Sequence, residues 1–204
     1  MSANREMDVV DTQDRRVKRT QRLLAQALIA LTLERGYDTV TIRDITERAD
    51  IGYATFFRHY HDKDALLADV LQVVLEELLD RLQPQHINGQ EADPAEVGRL
   101  IFKYIHEHSE VCRVLLGSQG PASLVRRVVE EGAQRVVREH TPRQGAMVPV
   151  EIAANHVVAA TIALIQWWLD HEMPYLPQRM GAIYAELIYR PASVLSFDDY
   201  PHNG

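Results

Sequence analysis

The chain has 204 residues, 46% of them hydrophobic, which is enough to bury a sizeable core in one or two domains. Its net charge of −7 argues against a uniformly basic nucleic-acid binder. Cys112 is the single cysteine, so an intramolecular disulfide is excluded. Because reduced thiols are typical of the cytoplasm and we expect no signal peptide, we predict a cytoplasmic protein.

The first part of the sequence predicts a polar tail followed by an amphipathic helix. Residues 1–14 are polar, and we expect them to form a disordered tail. Residues 16–35 predict a helix, and Gly36 is placed to end it as a C-terminal cap. The apolar stripe of this helix has the spacing i, i+3, i+4, i+7 and consists of Leu24, Ala27, Leu28 and Leu31.

Residues 41–63, TIRDITERADIGYATFFRHYHDK, predict two short helices joined by a tight turn. Thr41 is suited to cap the first helix, with Asp44 three residues later as in a capping box. Gly52 is placed to allow the turn. The second helix, 53–60, has an inner apolar side and an outer side formed by Tyr53, Ala54, Phe57 and Arg58. This pattern is typical of a helix-turn-helix that places one helix in the DNA major groove.

The charge distribution supports the same interpretation. Residues 15–63 hold ten Lys and Arg side chains against six Asp and Glu, although the chain as a whole is acidic. A positive region on a negative protein is expected where DNA is contacted through one end only. Asp62 is predicted to cap the next helix. Lys63 puts a cation in its first turn, which the helix dipole disfavours unless a phosphate lies nearby.

The segment GYDTVTIRDITERADIGYATFFRHYHDKDALL, residues 36–67, resembles the DNA-binding domain of the TetR family of transcriptional regulators. The shared elements are Gly-aromatic, Thr-Ile-x-x-Ile, Thr-aromatic-aromatic-x-His-aromatic and Lys-x-x-Leu-Leu, in that order. The resemblance implies an all-α protein with an N-terminal three-helix helix-turn-helix DNA-binding domain and a C-terminal helical ligand-binding and dimerisation bundle. We assign residues 15–64 to the first domain and 65–204 to the second.

The resemblance also implies which side chains meet double-stranded DNA. Residues at the start of the recognition helix meet bases, and Arg58 has the shape for bidentate contact with guanine. Thr55 and Lys63 are expected to bind phosphate. Phe57 stands where the family usually has tyrosine, so it either contacts a thymine methyl or sugar or packs between the helices. The full predicted set is Arg43, Tyr53, Ala54, Thr55, Phe57, Arg58, His59 and Lys63.

The rest of the sequence predicts helices and no sheet, because no segment alternates between polar and apolar residues. The predicted helices are 65–82, 95–108, 110–116, 121–140, 150–171 and 177–189, with loops at 83–94 and 142–149. We expect the last dozen residues to pack loosely. The 150–171 helix is apolar almost all round and is predicted to be buried on most sides. Polar residues interrupt it, so we do not expect it to span a membrane.

Two further sites follow from the bundle. Helices 150–171 and 177–189 are predicted to form half of a four-helix homodimer interface, so that two recognition helices reach a palindromic operator. The resemblance to the TetR family implies a small-molecule effector inside this bundle, in a pocket with apolar walls and a few polar groups. Alternatively, the amides of Asn155 and Gln166 bond across the dimer or to backbone. The candidate pocket residues are Tyr104, His108, Leu115, Asn155, Ala159, Ile162, Gln166 and Trp167.

One pattern resembles a metal site. His106, His108 and Cys112 are close in sequence, but His106 leaves the helical face that the other two share, and no fourth ligand is evident. We therefore predict no metal and no cofactor. Cys112 would need an exposed, electropositive setting to sense redox changes, and a buried thiol is the alternative.

Three classes of function remain. The first is a ligand-responsive dimeric DNA-binding regulator, most simply a repressor released from its operator by a small molecule through the helix at 65–82. The second is a module of the same fold that acts through a protein partner without specific DNA binding. The third, an enzyme, is disfavoured because the sequence has no glycine-rich phosphate loop and no Ser-x-x-Lys or Gly-x-Ser-x-Gly motif.

Overall fold

A computed structural model describes residues 3–82, 93–117 and 121–198 of the chain. The protein is all-α, as predicted. Its helices are α1 (Ala3–Arg35), α2 (Ile42–Ala49), α3 (Tyr53–His59), α4 (Lys63–Arg81), α5 (Pro94–Glu107), α6 (Ser109–Leu116), α7 (Ala122–Glu139), α8 (Val150–Asp170), α9 (Pro177–Tyr184) and α10 (Arg190–Ser196). A 3-10 turn covers Tyr37–Thr39, a π-helical turn covers Ala185–Tyr189, and two short strands are β1 (Thr141–Pro142) and β2 (Phe197–Asp198).

The chain forms two compact units, Met1–Val74 and Leu75–Gly204, and the division falls inside α4. The boundary predicted between residues 64 and 65 lies at the start of this helix. The first turns of α4 belong to the N-terminal unit, where Leu66 and Leu67 are buried and Asp69 accepts a hydrogen bond from the Tyr60 hydroxyl at 2.6 Å.

The N-terminal unit has the predicted core. Leu24 and Leu28 of α1, Ile45 of α2 and Phe56 of α3 are fully buried. Gly36 ends α1 with a φ of +82°, a conformation that favours glycine. The disordered tail predicted for 1–14 is wrong for residues 3–14, which continue α1. These residues contain no glycine or proline, so nothing stops the helix from propagating toward its N-terminus once it is nucleated.

Glycines allow α5 and α9 to cross closely in the C-terminal unit. A Cβ added to Gly181 would lie 2.4 Å from the Arg99 amide nitrogen and 2.5 Å from the Ala95 carbonyl oxygen. Gly98, on the facing side, has no room for a Cβ either. Asp93 caps α5 by accepting from the Ala95 amide at 3.1 Å. Most of the predicted 83–94 loop, residues 83–92, lies outside the described residues.

The two last helical segments form one interrupted helix that runs past the predicted end at residue 189. The Arg190 amide bonds to the Ala185 carbonyl, five residues back, in the π-helical turn. Pro191 follows at once, and its ring would crowd the carbonyl of a regular α-helix four residues earlier. The wider turn accommodates the proline, and α10 continues to Ser196.

Ser193, Ser196 and Phe197 are buried, so the prediction of loose packing is wrong for these residues, whereas Val194 and Leu195 are exposed. Residues 199–204 lie outside the described part. Phe197 is fully buried beside Val150 and Ala153 of α8. Arg143 donates to the carbonyls of Val194 and Phe197. The pairing of β1 with β2 also corrects the expectation of no sheet, since strands of two residues are too short for an alternating pattern.

Helix α8 has one buried and one exposed side in the single chain. Ala153, Val157 and Trp168 are buried, whereas Ile152 and Trp167 are exposed, so the prediction of burial on most sides is wrong for the chain by itself. By length and composition alone α8 could cross a membrane, and the buried core helices of water-soluble proteins meet the same criterion. Within the bundle α8 packs mainly on α7.

Candidate functional site

Helix α2 begins with the predicted capping box. The Thr41 hydroxyl accepts from the Asp44 amide at 3.2 Å, and the Asp44 carboxylate accepts from the Thr41 amide at 2.8 Å. Arg35, at the end of α1, lies 2.7 Å from the same carboxylate. The hydrogen bonds from Thr41 and Arg35 hold the pKa of Asp44 well below its usual range. The start of α2 is therefore fixed both to its own cap and to α1.

The turn between α2 and α3 is made by a residue that the sequence analysis did not single out. Asp50 has φ 54° and ψ 44°, in the left-handed region that aspartate tolerates better than most residues. Gly52, in contrast, has φ −60°, and a Cβ there would only touch the Thr55 hydroxyl at an ordinary 3.6 Å. The prediction that Gly52 supplies the special turn conformation is wrong, because Asp50 already reverses the chain.

Helix α3 presents the predicted outer face to solvent. Tyr53 is 54% exposed and Phe57 is 47% exposed, whereas Phe56 and Tyr60 are buried on the inner side. The rings of Tyr53 and Phe57 meet edge to face with centroids 5.2 Å apart. The rings of Phe57 and Phe56 also meet edge to face, with centroids 5.4 Å apart, yet nearly half of the Phe57 side chain is exposed to solvent. Packing between helices therefore covers only part of the Phe57 side chain, and the exposed part remains accessible to a partner.

The basic residues of this unit divide into two groups. Arg48 forms two hydrogen bonds with Glu34, at 2.7 and 3.1 Å, and Arg35 is paired with Asp44. Arg43 and Arg58 are exposed and have no carboxylate partner among the described residues. The charges of Arg43 and Arg58 are therefore available to a ligand. Those of Arg35 and Arg48 are paired with carboxylates in ion pairs that join α1 to α2.

Arg58 is already oriented on the outer face. Its Nη2 donates to the Thr55 hydroxyl at 2.9 Å, which leaves the other N–H groups of the guanidinium open. Arg43 lines a shallow concavity between α2 and α3, together with Thr46, Glu47, Asp50, Ile51, Gly52 and Tyr53. Ala54 is exposed, and His59 is half-buried at the end of α3. The structure thus brings seven of the eight predicted DNA contacts together near α3.

Lys63 has a structural partner set that the sequence analysis missed. Its Nζ donates to the carbonyls of Tyr37 and Val40, both at 2.9 Å, and lies 4.3 Å from the centre of the Tyr37 ring. An ammonium has three donors, so one remains for the predicted phosphate contact. No local pattern could reveal these bonds, because the acceptors are backbone carbonyls more than twenty positions away in the chain.

The candidate pocket residues of the bundle do not form one group. Tyr104 and His108 are neighbours, with ring centroids 4.4 Å apart, and Leu115 and Ile162 are buried. Asn155 and Trp167 are exposed, and Ala159 is half-buried. The Gln166 amide donates to the Leu116 carbonyl at 2.6 Å, which confirms the backbone-bonding alternative for that residue.

Cys112 lies beside this group as a buried thiol. Burial raises its pKa to about 12, so it is not the exposed, electropositive thiol that redox sensing requires. The described residues contain no group of three His, Cys, Asp or Glu side chains arranged to hold a metal ion.

Both units of the chain match known families of transcriptional regulators. Residues 24–70 match the family described as bacterial regulatory proteins, tetR family, and residues 93–190 match a transcriptional regulator C-terminal region. An uncharacterized HTH-type transcriptional regulator of Bacillus subtilis, YxbF, is 37% identical over 87 residues, which are 40% of this chain and 23% of that protein. The matched stretch thus spans about a quarter of the curated relative.

Solved structures share the fold. A putative TetR-family regulator from Syntrophomonas wolfei has 16% identity and a TM-score of 0.68, over 86% of this chain and 95% of that one. SmeT, the repressor of a Stenotrophomonas maltophilia multidrug efflux pump, is similar in its triclosan complex, with 16% identity and a TM-score of 0.60 over 88% and 92%. The chain belongs to the TetR family of transcriptional regulators, with a helix-turn-helix formed by α2 and α3.

Proposed function

We propose that this regulator is a homodimer that represses transcription by binding a palindromic operator, and that a small molecule releases it. The exposed face of α3 carries the proposal. Tyr53 and Phe57 expose aromatic rings that a free-standing domain would bury, and Arg58 is oriented beside them. An aromatic and guanidinium surface on a short helix suits the major groove, where arginine pairs with guanine and apolar groups meet the thymine methyl.

The pairing of two chains is supported by apolar side chains left open on the C-terminal unit. Ile152 and Trp167 of α8 are exposed, as are Leu187 of the π-helical turn and Val194 of α10. A twofold axis beside these helices would bury the exposed apolar side chains of both chains in a four-helix interface. Two recognition helices could then meet successive major grooves, about 34 Å apart.

The effector site belongs in the bundle. SmeT, which shares this fold, has been solved with triclosan, so the fold can hold a small aromatic molecule. Of the predicted residues, Tyr104, His108, Leu115 and Ile162 remain candidates for the pocket wall. We reassign Asn155 and Trp167 to the dimer interface, because both are on the exposed side of α8.

The second candidate function is a module that keeps the fold and acts on a protein partner without specific DNA binding. Arg43 and Arg58 favour DNA over this alternative. Both are exposed and uncommitted to carboxylates among the described residues, whereas Arg48 of the same unit is paired with Glu34. We assign no catalytic reaction to the chain and expect it in the cytoplasm, where its DNA would be.

Selection of binding sites from a random duplex pool tests the proposal. Wild-type protein at near-physiological salt should recover a palindrome, and a double Arg43→Ala/Tyr53→Ala variant should not. Arg58→Ala should lose about 1–3 kcal/mol of operator affinity and relax the preference at one base pair. Arg127→Ala removes the same charge from an exposed ion pair of α7 and serves as the control.

Two results would count against DNA reading. If wild type selected no motif and bound DNA only weakly and in a salt-sensitive way, the partner-binding module would be favoured. If Arg58→Ala weakened binding to random duplex as much as to the operator, Arg58 would be a phosphate contact and not a base contact.

A further inference from the structure

His108 stands at the joint between α5 and α6 with its backbone fixed on both sides. Its amide donates to the Tyr104 carbonyl and its carbonyl accepts from the Cys112 amide, both at 3.0 Å. It is at once the C-terminal cap of α5 and the N-terminal cap of α6. The imidazole is therefore attached to a rigid corner of the bundle.

The imidazole has an unused polar atom inside the protein. The Nε2 atom is buried and has no hydrogen-bond partner among the described residues. A buried polar atom without a partner costs free energy, and native proteins rarely leave one without a reason. The nearby ring of Tyr104 is fully buried, and its hydroxyl is already committed, donating to Glu77 at 3.0 Å. The Cys112 thiol is protonated and a poor partner.

The charges around this corner are already balanced. Arg81 of α4 lies 2.6 Å from Glu107, and its guanidinium covers the Tyr104 ring at 4.9 Å. Lys103 also faces Glu107, at 3.8 Å, and Glu77 is bonded to Tyr104. Two acidic and two basic side chains thus neutralise one another. These four described side chains therefore leave no net charge of their own to attract a charged ligand.

We propose that His108 Nε2 is the hydrogen-bonding anchor of the effector, and that the effector is a small uncharged molecule with a hydroxyl group on an apolar body. A hydroxyl both donates and accepts, so it satisfies Nε2 in either tautomer of the neutral imidazole. The Tyr104 ring, whose centroid lies 4.4 Å from that of the imidazole, makes the surroundings of His108 aromatic and apolar, which suits an apolar body. This inference rests on the proposed ligand-responsive function and gives its effector a chemical class.

The same corner supplies a route to α4. His108 contacts the Tyr104 ring, and the Tyr104 hydroxyl holds Glu77 of α4. Tyr104 is thus a positioning residue between the ligand anchor and the helix that continues to the DNA-binding unit. A Tyr104→Phe variant should still bind the effector but should respond to it less in operator release.

The test compares molecules that differ only in the hydroxyl. Full-length protein is titrated with phenol against toluene and with cyclohexanol against methylcyclohexane, by calorimetry and by thermal shift. For wild type, the hydroxyl member of a pair should bind about tenfold tighter, the value of one buried hydrogen bond. This difference in affinity between the two members of a pair should vanish in His108→Phe and return in His108→Gln. His61→Phe, which changes an exposed histidine of the other unit, should behave as wild type.

A second measurement avoids reliance on a variant that fails to fold. In wild-type protein with nitrogen-labelled histidine, phenol should shift the Nε2 resonance of His108, and toluene should not. The proposal is wrong if wild type binds both members of each pair with equal affinity, or if the affinity difference persists in His108→Phe. It is also wrong if phenol does not shift the His108 Nε2 resonance. The titrations and the resonance measurement involve no DNA, so failure of the operator selection would be recognised separately.

Discussion

Lys63 joins three parts of the N-terminal unit through one ammonium group. It is the first residue of α4, its Nζ donates to the carbonyls of Tyr37 and Val40, and it lies over the Tyr37 ring. Those carbonyls belong to the 3-10 turn after α1 and the extended residue that follows it. The cation in the first turn of α4, unfavourable for the helix dipole, is thus compensated inside the protein itself.

Replacing Lys63 tests this role. Lys63→Met keeps much of the side-chain length but loses both hydrogen bonds, and we expect the N-terminal unit to lose about 2 kcal/mol of unfolding free energy. Urea unfolding followed by circular dichroism measures the change. Lys103→Met, at an exposed residue 3.8 Å from Glu107, is the matched control and should cost little. Equal stability of the two variants would contradict the structural role.

Asp44 makes the stability of the same unit sensitive to acid. Thr41 and Arg35 lower its pKa, so its contribution to folding is complete above the ordinary aspartate pKa and is lost as the pH falls toward the lowered value. Wild type should therefore exceed Asp44→Asn in unfolding midpoint at about pH 7, and the difference should shrink by about pH 3. A difference that does not change with pH would contradict this assignment.

At the scale of elements, local signals explain what the sequence could predict. The caps Thr41, Asp62 and Gly36 all act as expected, because a cap depends on residues three or four positions away. The exposed face of α3 followed from the same short-range periodicity. The pairs Arg48–Glu34 and Lys63–Tyr37 join distant parts of the chain, and a single sequence does not encode such separations visibly.

In the C-terminal bundle, too, the sequence predicted the helices but not the contacts between them. The boundaries of α5, α6, α7 and α8 agree with prediction to within a residue or two, since long amphipathic runs mark them. The predicted pocket set was a weaker inference, because spacing along one helix cannot tell which side faces the interior. Asn155 and Trp167 lie on the exposed side, while the unpartnered Nε2 of His108 is a property of the packed structure alone.

The crossing of α5 and α9 should be intolerant of any side chain. Gly181→Ala brings a methyl group against backbone atoms of Arg99 and Ala95, which cannot move aside, and we expect it to cost about 1–3 kcal/mol. Gly132→Ala is the control, because its methyl group meets a Val158 side-chain methyl at 2.9 Å that can shift. Thermal unfolding should rank Gly181→Ala below Gly132→Ala. The reverse order would mean that the helices separate easily.

At the scale of the whole molecule, the proposed dimer depends on its exposed apolar stripes. Leu187, which is 68% exposed, should be buried by a partner, so Leu187→Glu should give monomers in light scattering and abolish tight operator binding while leaving the helical content unchanged. Met147, which is 84% exposed on the loop before α8, is the control. Met147→Glu should remain dimeric. A monomeric wild type, or a dimeric Leu187→Glu, would place the interface elsewhere.

The packing of Phe197 has a consequence for how the protein is made. Val150 and Ala153 in the first turn of α8 share a core cluster with Phe197, which is synthesised about 45 residues later. Arg143 then closes over the carbonyls of Val194 and Phe197. A nascent chain cannot finish the core beneath α8 before Phe197 has left the ribosome. A chain truncated before Phe197 should therefore lack the buried aromatic ring that completes the cluster at the first turn of α8.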